Sequence, residues 1–213
     1  MSHLTPLFLL ALAATHSAFA APPDDLIRPI QERWAEIKYR QPTNKQAELY
    51  AELSEKARQL SATNPNLAPA LIWEGIVVSS EAGAKGGLSG LSLAKDARRL
   101  LEESLKLDEK ALNGSAYTSL ATLYAKVPGW PIGFGDKKKA EELFRKSLSA
   151  NPDGIDANYF YGEYLIDQDR LGEGRAYLEK ALKAPPRPGR ELADQGRRQE
   201  IQALLGKTAE AAH

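Results

Sequence analysis

Cysteine is absent from this chain of 213 residues, and histidine occurs only three times. Without cysteine there is no disulfide framework, no thiolate catalysis and no cysteine to carry a lipid anchor. Two histidines, His3 and His16, fall in an N-terminal segment that we expect to be removed, and the third, His213, is the last residue. Histidine-based catalysis and zinc binding are therefore disfavoured. We predict no catalytic residues, no metal site and no cofactor.

An excess of either charge is also missing, since 28 Lys and Arg balance 28 Asp and Glu. Binding to nucleic acid or to an anionic membrane through overall charge needs a marked basic excess, so the balance argues against both. Local basic clusters remain possible. Apolar residues make up 43% of the chain, enough to bury a core at this length. The composition favours a folded protein.

Charged side chains are absent from residues 1–20, which contain no Asp, Glu, Lys or Arg. The segment has an apolar run at 7–14 and ends in Ala18-Phe19-Ala20, a pattern typical of a secretory signal and its cleavage site. The run is too short to span a bilayer, which takes about 20 residues. We expect cleavage after Ala20 and a soluble protein in an extracytoplasmic space, most simply the bacterial periplasm, without stable insertion into the membrane.

A repeat of 34 residues is the main positive feature of the chain. Residues 140–148 and 174–182 carry small and bulky side chains at matching positions, and the same pattern occurs at 97–105. In each copy the positions have the i, i+3, i+4, i+7, i+8 spacing of one helix face. Pro152 and Pro186 keep the same separation, each placed where it stops a helix. Such a repeat indicates stacked helical hairpins.

These residues resemble the tetratricopeptide repeat, in which helix A has the pattern W/Y-x-x-L-G/A-x-x-Y and helix B the pattern A-x-x-x-F-x-x-A-x-x-x-x-P. Helix A matches at Tyr117, Leu120, Ala121 and Tyr124, and again at Asn158, Tyr161, Gly162 and Leu165. Helix B matches at Ala140, Phe144, Ser147 and Pro152, and again at Gly174, Leu178, Ala181 and Pro186. The resemblance implies an all-α fold, a right-handed α-solenoid of helical hairpins with helix A of each repeat on the concave face.

The helical pattern predicts about nine helices, no strand and the following division of the chain. Residues 1–20 are the signal, 21–66 an N-terminal helical pair, 67–186 the repeats (about 67–110, 114–152 and 155–186), 187–206 a C-terminal capping helix and 207–213 a flexible tail. The glycine-rich stretch 82–90 is either a flexible joint or a place where two backbones approach closely.

A second resemblance covers the C-terminal half. Its characteristic segments are residues 127–136, 151–156 and 184–190. They are similar to a proteobacterial group of exported tetratricopeptide proteins that resembles the T component (TatT-like) of tetratricopeptide-associated TRAP transporters. This resemblance implies a periplasmic helper that partners a solute-binding protein and presents an apolar ligand-binding pore.

Residues 127–136 interrupt the repeat and carry Trp130, Ile132 and Phe134. Leaving each of these side chains in water costs roughly 1.5–3 kcal/mol, so we expect them to be covered. They either fold beneath the helix pair as a satellite core or form the lid or wall of a ligand site. The second interpretation makes Trp130 and Phe134 candidate binding residues.

The next residues read as the start of a helix. Asp136 is expected to be its N-cap. Lys137, Lys138 and Lys139 follow in the first turn, where positive charge is unfavourable to the helix dipole. The lysines are interpreted either as a solvated face or as a docking point for an anion or an acidic partner.

Six further candidates come from the groove positions of tetratricopeptide repeats. The resemblance places them at Ile72, Ile76, Thr118, Thr122, Tyr159 and Glu163. The predicted function is that of a non-enzymatic binding or adaptor protein. Its concave face would recognise a partner protein, such as a periplasmic solute-binding protein, or an apolar small molecule. Alternatives are a homo-oligomeric scaffold in the cell envelope and, with less support, a hydrolase or transferase that uses Asp153 and Asp156.

Overall fold

The fold consists of helices wherever the chain is described. The computed structural model describes residues 23–210, and within this range no strand is present. The expected signal segment and residues 211–213 lie outside the described residues. The helices are α1 (Pro23–Arg40), α2 (Thr43–Thr63), α3 (Ala68–Lys85), α4 (Gly87–Leu107), α5 (Ser115–Lys126), α6 (Lys137–Ala150), α7 (Ile155–Asp167), α8 (Leu171–Leu182) and α9 (Glu191–Glu210). The all-α prediction is confirmed.

Sequential helices pair into hairpins, of which α3 with α4, α5 with α6, and α7 with α8 correspond to the predicted repeats. The small residues of the repeat, Ala97, Ala140 and Ala181, are each 0% exposed, because they lie where the two helices of a hairpin meet. The bulky positions beside them are buried as well: Leu101, Phe144 and Leu178. Matched small and large side chains therefore build a continuous stack of tetratricopeptide-like hairpins.

The glycine-rich stretch 82–90 is a close backbone approach and not a flexible joint. Helix α3 runs to Lys85 and α4 begins at Gly87, so only Gly86, with φ +63°, separates them. A Cβ atom on Gly90 would lie 2.5 Å from the carbonyl oxygen of Ala82. Glycine is needed here because any side chain would force the two helices apart.

Helix α9 follows the last hairpin and packs against α1, α7 and α8. It continues to Glu210, so residues 207–210, which were expected in a flexible tail, are helical. Arg175 on α8 donates to the carbonyl oxygen of Leu205 and to the hydroxyl of Thr208. These bonds hold the last turns of α9 on α8, which the composition of the tail did not indicate.

Among the helices between residues 23 and 210, none has both the length and the apolar character that crossing a membrane requires.

Candidate binding groove

The A helices α1, α3, α5 and α7 form one continuous layer, because each contacts the next. The B helices α2, α4, α6 and α8 pack on their neighbouring A helices, and within the described range no B helix contacts another. In a curved stack the helices that touch lie on the inside and the helices that are splayed lie on the outside. The A helices therefore line the concave face, as is usual in helical solenoids.

Helix α9 lies on this concave side and joins α1 to α7, which do not contact each other. Near the start of α9, Ala193 is buried in an apolar cluster with Trp73 of α3. In its middle, a Cβ atom on Gly196 would lie 2.3 Å from the ring of Tyr39 on α1. Further along, Ile201 is fully buried in the cluster that α7 and α8 form. No contact with α5 occurs.

A group of charged side chains, the Asp156 cluster, fixes α9 to α7. Arg197 of α9 is 5% exposed at its side chain and donates through Nε to Asp156 of α7 at 2.8 Å. Its guanidinium also lies 4.3 Å from the ring centre of Tyr159 and 4.5 Å from that of Phe160. Arg187, between α8 and α9, donates to the other carboxylate oxygen of Asp156 at 2.7 Å. Two arginines thus hold one carboxylate between them.

The Asp156 cluster is ionised near neutral pH. Burial acts to raise the pKa of Asp156, but the positive charges of Arg197 and Arg187 outweigh it and hold the pKa well below its usual range. Burial acts to lower the pKa of Arg197, and the negative charge of Asp156 reverses that effect and raises it. Asp194 extends the cluster, since it accepts from the backbone N–H of Arg187 at 2.8 Å. Paired charges of this kind tolerate burial because their hydrogen bonds replace water.

Glu200 provides the corresponding polar contact between α9 and α1. Its carboxylate accepts a hydrogen bond of 3.2 Å from the hydroxyl of Tyr39 and lies 3.2 Å from Nζ of Lys38. Arg197 pairs with the same carboxylate at 2.6 Å. Burial is the main cause that raises the pKa of Tyr39, so this hydroxyl stays protonated and can donate. Glu200 therefore connects α1 to the Asp156 cluster.

Arg190 stands at the other end of this contact, just before α9. Its guanidinium lies 4.9 Å from the ring centre of Trp73, a cation–π distance. Burial and the nearby charge of Arg187 lower the pKa of Arg190 to about 10. Arg190 also lines a cleft of about 260 Å³ together with Glu32 and Glu36 of α1. This cleft and a more open one of about 520 Å³ beside Arg187 both border α9.

Two of the six predicted groove residues do not reach the groove surface. Ile72 is 0% exposed in the core that α3 shares with α4 and α5. Thr118 is 6% exposed, and its hydroxyl shares a hydrogen bond of 2.5 Å with the hydroxyl of Ser147 on α6. Both side chains point into the hairpin stack because a helix in a tightly packed layer presents only a narrow stripe to the groove.

Three other predicted positions are half-buried. Ile76 packs between the apolar clusters of the first two hairpins. Thr122 donates to the carbonyl oxygen of Thr118 one turn earlier. Glu163 lies 3.3 Å from Nζ of Lys126, whose other partner, Asp167, is at 2.7 Å. The helical stripe of α5 that ends at Lys126 is not covered by α9, and we call it the α5 strip. Its members are Ser115, Ser119, Thr122 and Lys126.

Tyr159, the remaining groove prediction, lies in the concave face but is covered. It is 7% exposed, beneath Arg197 and in the cluster that contains Ile201. The concave face is therefore divided into one part occupied by α9, at α1 and α7, and one part left open along α5. Sequence reasoning treated α9 as an end cap, which gave no sign that it would lie in the groove.

Trp130, Ile132 and Phe134 of the loop 127–136 were expected to be covered, and for two of the three this expectation is wrong. Trp130 is 89% exposed and Ile132 is 66% exposed. Phe134 alone is partly buried, with its ring 5.4 Å from that of Tyr124 and 4.5 Å from the guanidinium of Arg98. The loop folds back on its own backbone. Val127 at its start and Phe134 on its return limb pack against the helices, whereas Trp130 and Ile132 between them remain exposed.

Residues 155–188 match the tetratricopeptide repeat. The matched stretch comprises α7, α8 and the segment up to Pro188, and so it contains Asp156 together with one of its two arginines, Arg187. No curated protein matches the chain. The hairpins of α3 with α4 and of α5 with α6 lie outside this match and are tetratricopeptide-like in the way their helices pack.

The residues that sequence reasoning missed are those that seat α9. Asp156 was considered only together with Asp153, in the hydrolase or transferase alternative, and Arg187 and Arg197 were not singled out. A charged residue at a helix start looks the same in sequence whether it faces water or an arginine on another helix. The available signal was the excess of arginine between 187 and 198, four residues in a stretch that also has few apolar ones.

Proposed function

We propose that this chain is a non-enzymatic adaptor that binds a partner protein at the α5 strip. The repeat at 155–188 supports a role in protein–protein interaction, since tetratricopeptide repeats generally bind partners on their concave face. The observation that carries the proposal is that α9 contacts α1, α7 and α8 but leaves α5 open. The open part of the groove is then the surface available to a partner.

The chemistry of the strip favours a polar peptide segment. It presents the hydroxyls of Ser115, Ser119 and Thr122, and the ion pair of Lys126 with Glu163 closes one end. The hydroxyls of Ser115 and Ser119 can donate to and accept from an extended peptide backbone, and that of Thr122, which donates to Thr118, can still accept. An apolar ligand would offer them no such hydrogen bonds. We therefore favour a protein partner over the apolar small molecule.

We also propose that the protein works in the periplasm, as an accessory to a transport system whose solute-binding protein is its partner. The charge-free apolar segment at residues 1–20 supports export. The resemblance of residues 127–136, 151–156 and 184–190 to exported helper proteins supports the accessory role. Fractionation of cells that produce the full chain tests the location, because retention in the cytoplasm would contradict export.

Site-specific crosslinking tests the binding surface. A photoreactive amino acid at Thr122 on the strip is compared with one at Ser149, which is exposed on the outer helix α6. Crosslinking is carried out in cells that produce the full chain, and the adducts are identified by mass spectrometry. We expect one partner to be captured from Thr122 and not from Ser149.

A charge substitution provides the second half of the test. Thr122→Arg should abolish capture through a second reporter position at Ser119, while Ser149→Arg should leave it unchanged. Equal capture from both faces would argue against the groove. If the captured partner is the chain itself, and the size-exclusion mass is that of an oligomer, the homo-oligomeric scaffold is the correct function.

A further inference from the structure

Three of the four large apolar side chains that are exposed in residues 23–210 lie at one edge of the molecule. They are Leu88 (85% exposed), Trp130 (89%) and Ile132 (66%), and we call them the apolar edge. The fourth, Leu107, is 45% exposed at the far end of α4. At 1.5 Å per residue, Leu107 is about 28 Å along the helix from Leu88. Exposed apolar groups that gather in one place indicate an interaction surface.

Contacts between α4 and the loop 127–136 bring the apolar edge together. A Cβ atom on Gly133 would lie 3.2 Å from Cδ1 of Leu91, so the loop rests on the first turns of α4. Leu88 lies one turn before Leu91 on the same helix face, because residues three apart are neighbours on a helix. Leu88 is therefore one helical turn from this contact, Ile132 is next to it in the chain, and Trp130 is two residues before Ile132.

Backbone hydrogen bonds hold the loop in this conformation. The N–H of Gly135 donates to the carbonyl oxygen of Pro128 at 2.9 Å, and that of Gly133 donates to Gly129 at 3.1 Å. At the end of the loop, the N–H of Asp136 donates to the carbonyl oxygen of Tyr124 at 2.9 Å. Trp130 and Ile132 are thus displayed by an anchored turn, so their exposure is a property of the fold.

Positive charge lies on one side of the apolar edge, next to the loop 127–136, although the whole chain is neutral. On the side of Leu88 the charges balance, since Lys85 pairs with Glu81 at 2.7 Å and Lys95 is followed by Asp96. The stretch 127–139 that carries Trp130 contains one aspartate and three lysines, all four of them exposed. These lysines, Lys137, Lys138 and Lys139, lie in the first turn of α6, where positive charge is unfavourable to the helix dipole. A role at a docking surface would explain why they are placed there.

We propose that the apolar edge docks on the surface of an anionic lipid bilayer, with its apolar side chains at the level of the headgroups and its lysines against them. Tryptophan suits that position because its ring has an apolar body and a polar N–H. Lysines add attraction to anionic lipids. Neither of the two clefts borders the edge, and a bilayer needs no pocket to receive it.

Docking of this kind is peripheral and leaves the concave face free. The apolar edge lies where A helices turn into B helices, after α3 and after α5, whereas the α5 strip runs along the body of α5. A membrane-docked molecule could therefore still bind a partner in its groove. The proposal does not depend on the identity of that partner.

Fluorescence of Trp130 tests the contact directly. Trp34 and Trp73 are 9% and 5% exposed, so quenching by a lipid probe reports on Trp130 among the tryptophans of the chain. The full chain is mixed with vesicles of phosphatidylcholine and phosphatidylglycerol in equal parts, with bromine on the acyl chains. We expect quenching with these vesicles and little with phosphatidylcholine alone. Absence of quenching with the anionic vesicles would overturn the proposal.

Variants assign the binding to the apolar edge. In co-sedimentation with unbrominated vesicles, the triple substitution Leu88→Ser, Trp130→Ser and Ile132→Ser should lower the affinity at least about tenfold, since it removes three large apolar groups. Leu107→Ser is the matched control and should have no effect. Every sample contains the apolar run of residues 7–14, so the comparison between variants cancels its contribution.

The lysines have their own variant. Substituting Lys137, Lys138 and Lys139 by Gln should lower the affinity for anionic vesicles roughly fivefold per lysine and leave that for neutral vesicles unchanged. Unchanged vesicle binding by the serine triple variant would refute docking through the apolar edge. If instead that variant loses a self-association seen by size exclusion while vesicles are never bound, the edge is a contact between copies and the lipid proposal is wrong.

Discussion

Helix α9 and the loop 127–136 both depart from the repeat, and they place their side chains in opposite ways. Helix α9 is rich in charged residues, yet it buries Arg197 and Asp194 against the stack. The loop is rich in apolar residues, yet it exposes Trp130 and Ile132. The difference lies in the neighbours. Arg197 and Asp194 of α9 form hydrogen bonds with Asp156 and Arg187, and Arg197 also lies over the ring of Tyr159, whereas Trp130 and Ile132 at the loop tip remain exposed. Burial follows from the partners that the fold supplies as much as from hydropathy.

The largest change in the free energy of unfolding is expected at α9, where Arg197 is buried. Arg197→Ala should lower the free energy of unfolding by about 3–5 kcal/mol, because removing one partner leaves Asp156 and Glu200 without their main positive neighbour. The matched control is Arg99→Ala on α4, which breaks an exposed pair with Glu103 and should cost less than about 1 kcal/mol. Urea denaturation followed by circular dichroism measures both. Equal effects would mean that α9 is not held by the Asp156 cluster.

Acid should weaken the same contact. The pKa of Asp156 is lower in the folded protein than in the unfolded chain, so its ionisation stabilises the fold above the unfolded pKa of about 3.9. This stabilisation is lost as the pH falls from there towards the folded pKa. Urea denaturation at pH 7 and pH 3 should show a smaller loss for Asp156→Asn than for the wild type. Asp96→Asn, at an exposed position on α4, should keep the pH dependence of the wild type.

Two glycines of α9 should respond with opposite signs. In Gly196→Ala the new Cβ would meet the Tyr39 ring at 2.3 Å, and the strain should cost about 1–3 kcal/mol of stability. In Gly206→Ala the Cβ meets nothing within 4 Å, so the higher helix propensity of alanine should add about 1 kcal/mol. Thermal unfolding of the two variants measures the difference. A stabilised Gly196→Ala variant would mean that α9 does not pack closely on α1.

The smallest change in the free energy of unfolding is expected in the loop 127–136, where Trp130 is exposed. Trp130→Ser should change the free energy of unfolding by no more than about 0.5 kcal/mol, because the side chain has no cover to lose. Trp73→Ala, at the buried ring under Arg190, should by contrast cost about 3–5 kcal/mol. The same urea experiment compares the two tryptophans. A large loss at Trp130 would show that the loop tip is packed in solution, and the contrast with α9 would then disappear.

The hairpin stack was predictable because its information is local and repeated. The positions of Ala140, Phe144 and Ala181 follow from helical spacing, and their burial follows from the close approach of two helices. The groove was only half predictable. Helical spacing alone does not separate Thr122, which lies on the α5 strip, from Thr118, whose hydroxyl bonds to Ser147 in the core. The resemblance to known repeats placed both threonines on the groove. A repeat pattern names groove positions along the helix, but it does not tell how wide a face of the helix stays exposed.

By itself, the sequence determined that the chain is helical, that its hairpins recur at 34 residues and that small side chains mark the helix crossings. These properties depend on neighbours within one or two turns or one repeat. Only the tertiary structure decided that α9 returns to α1, that Asp156 lies between Arg187 and Arg197, and that Trp130 faces solvent. Those outcomes depend on the curvature of the whole stack of hairpins. The curvature brings together residues that are far apart in the sequence and that no helical or repeat spacing relates.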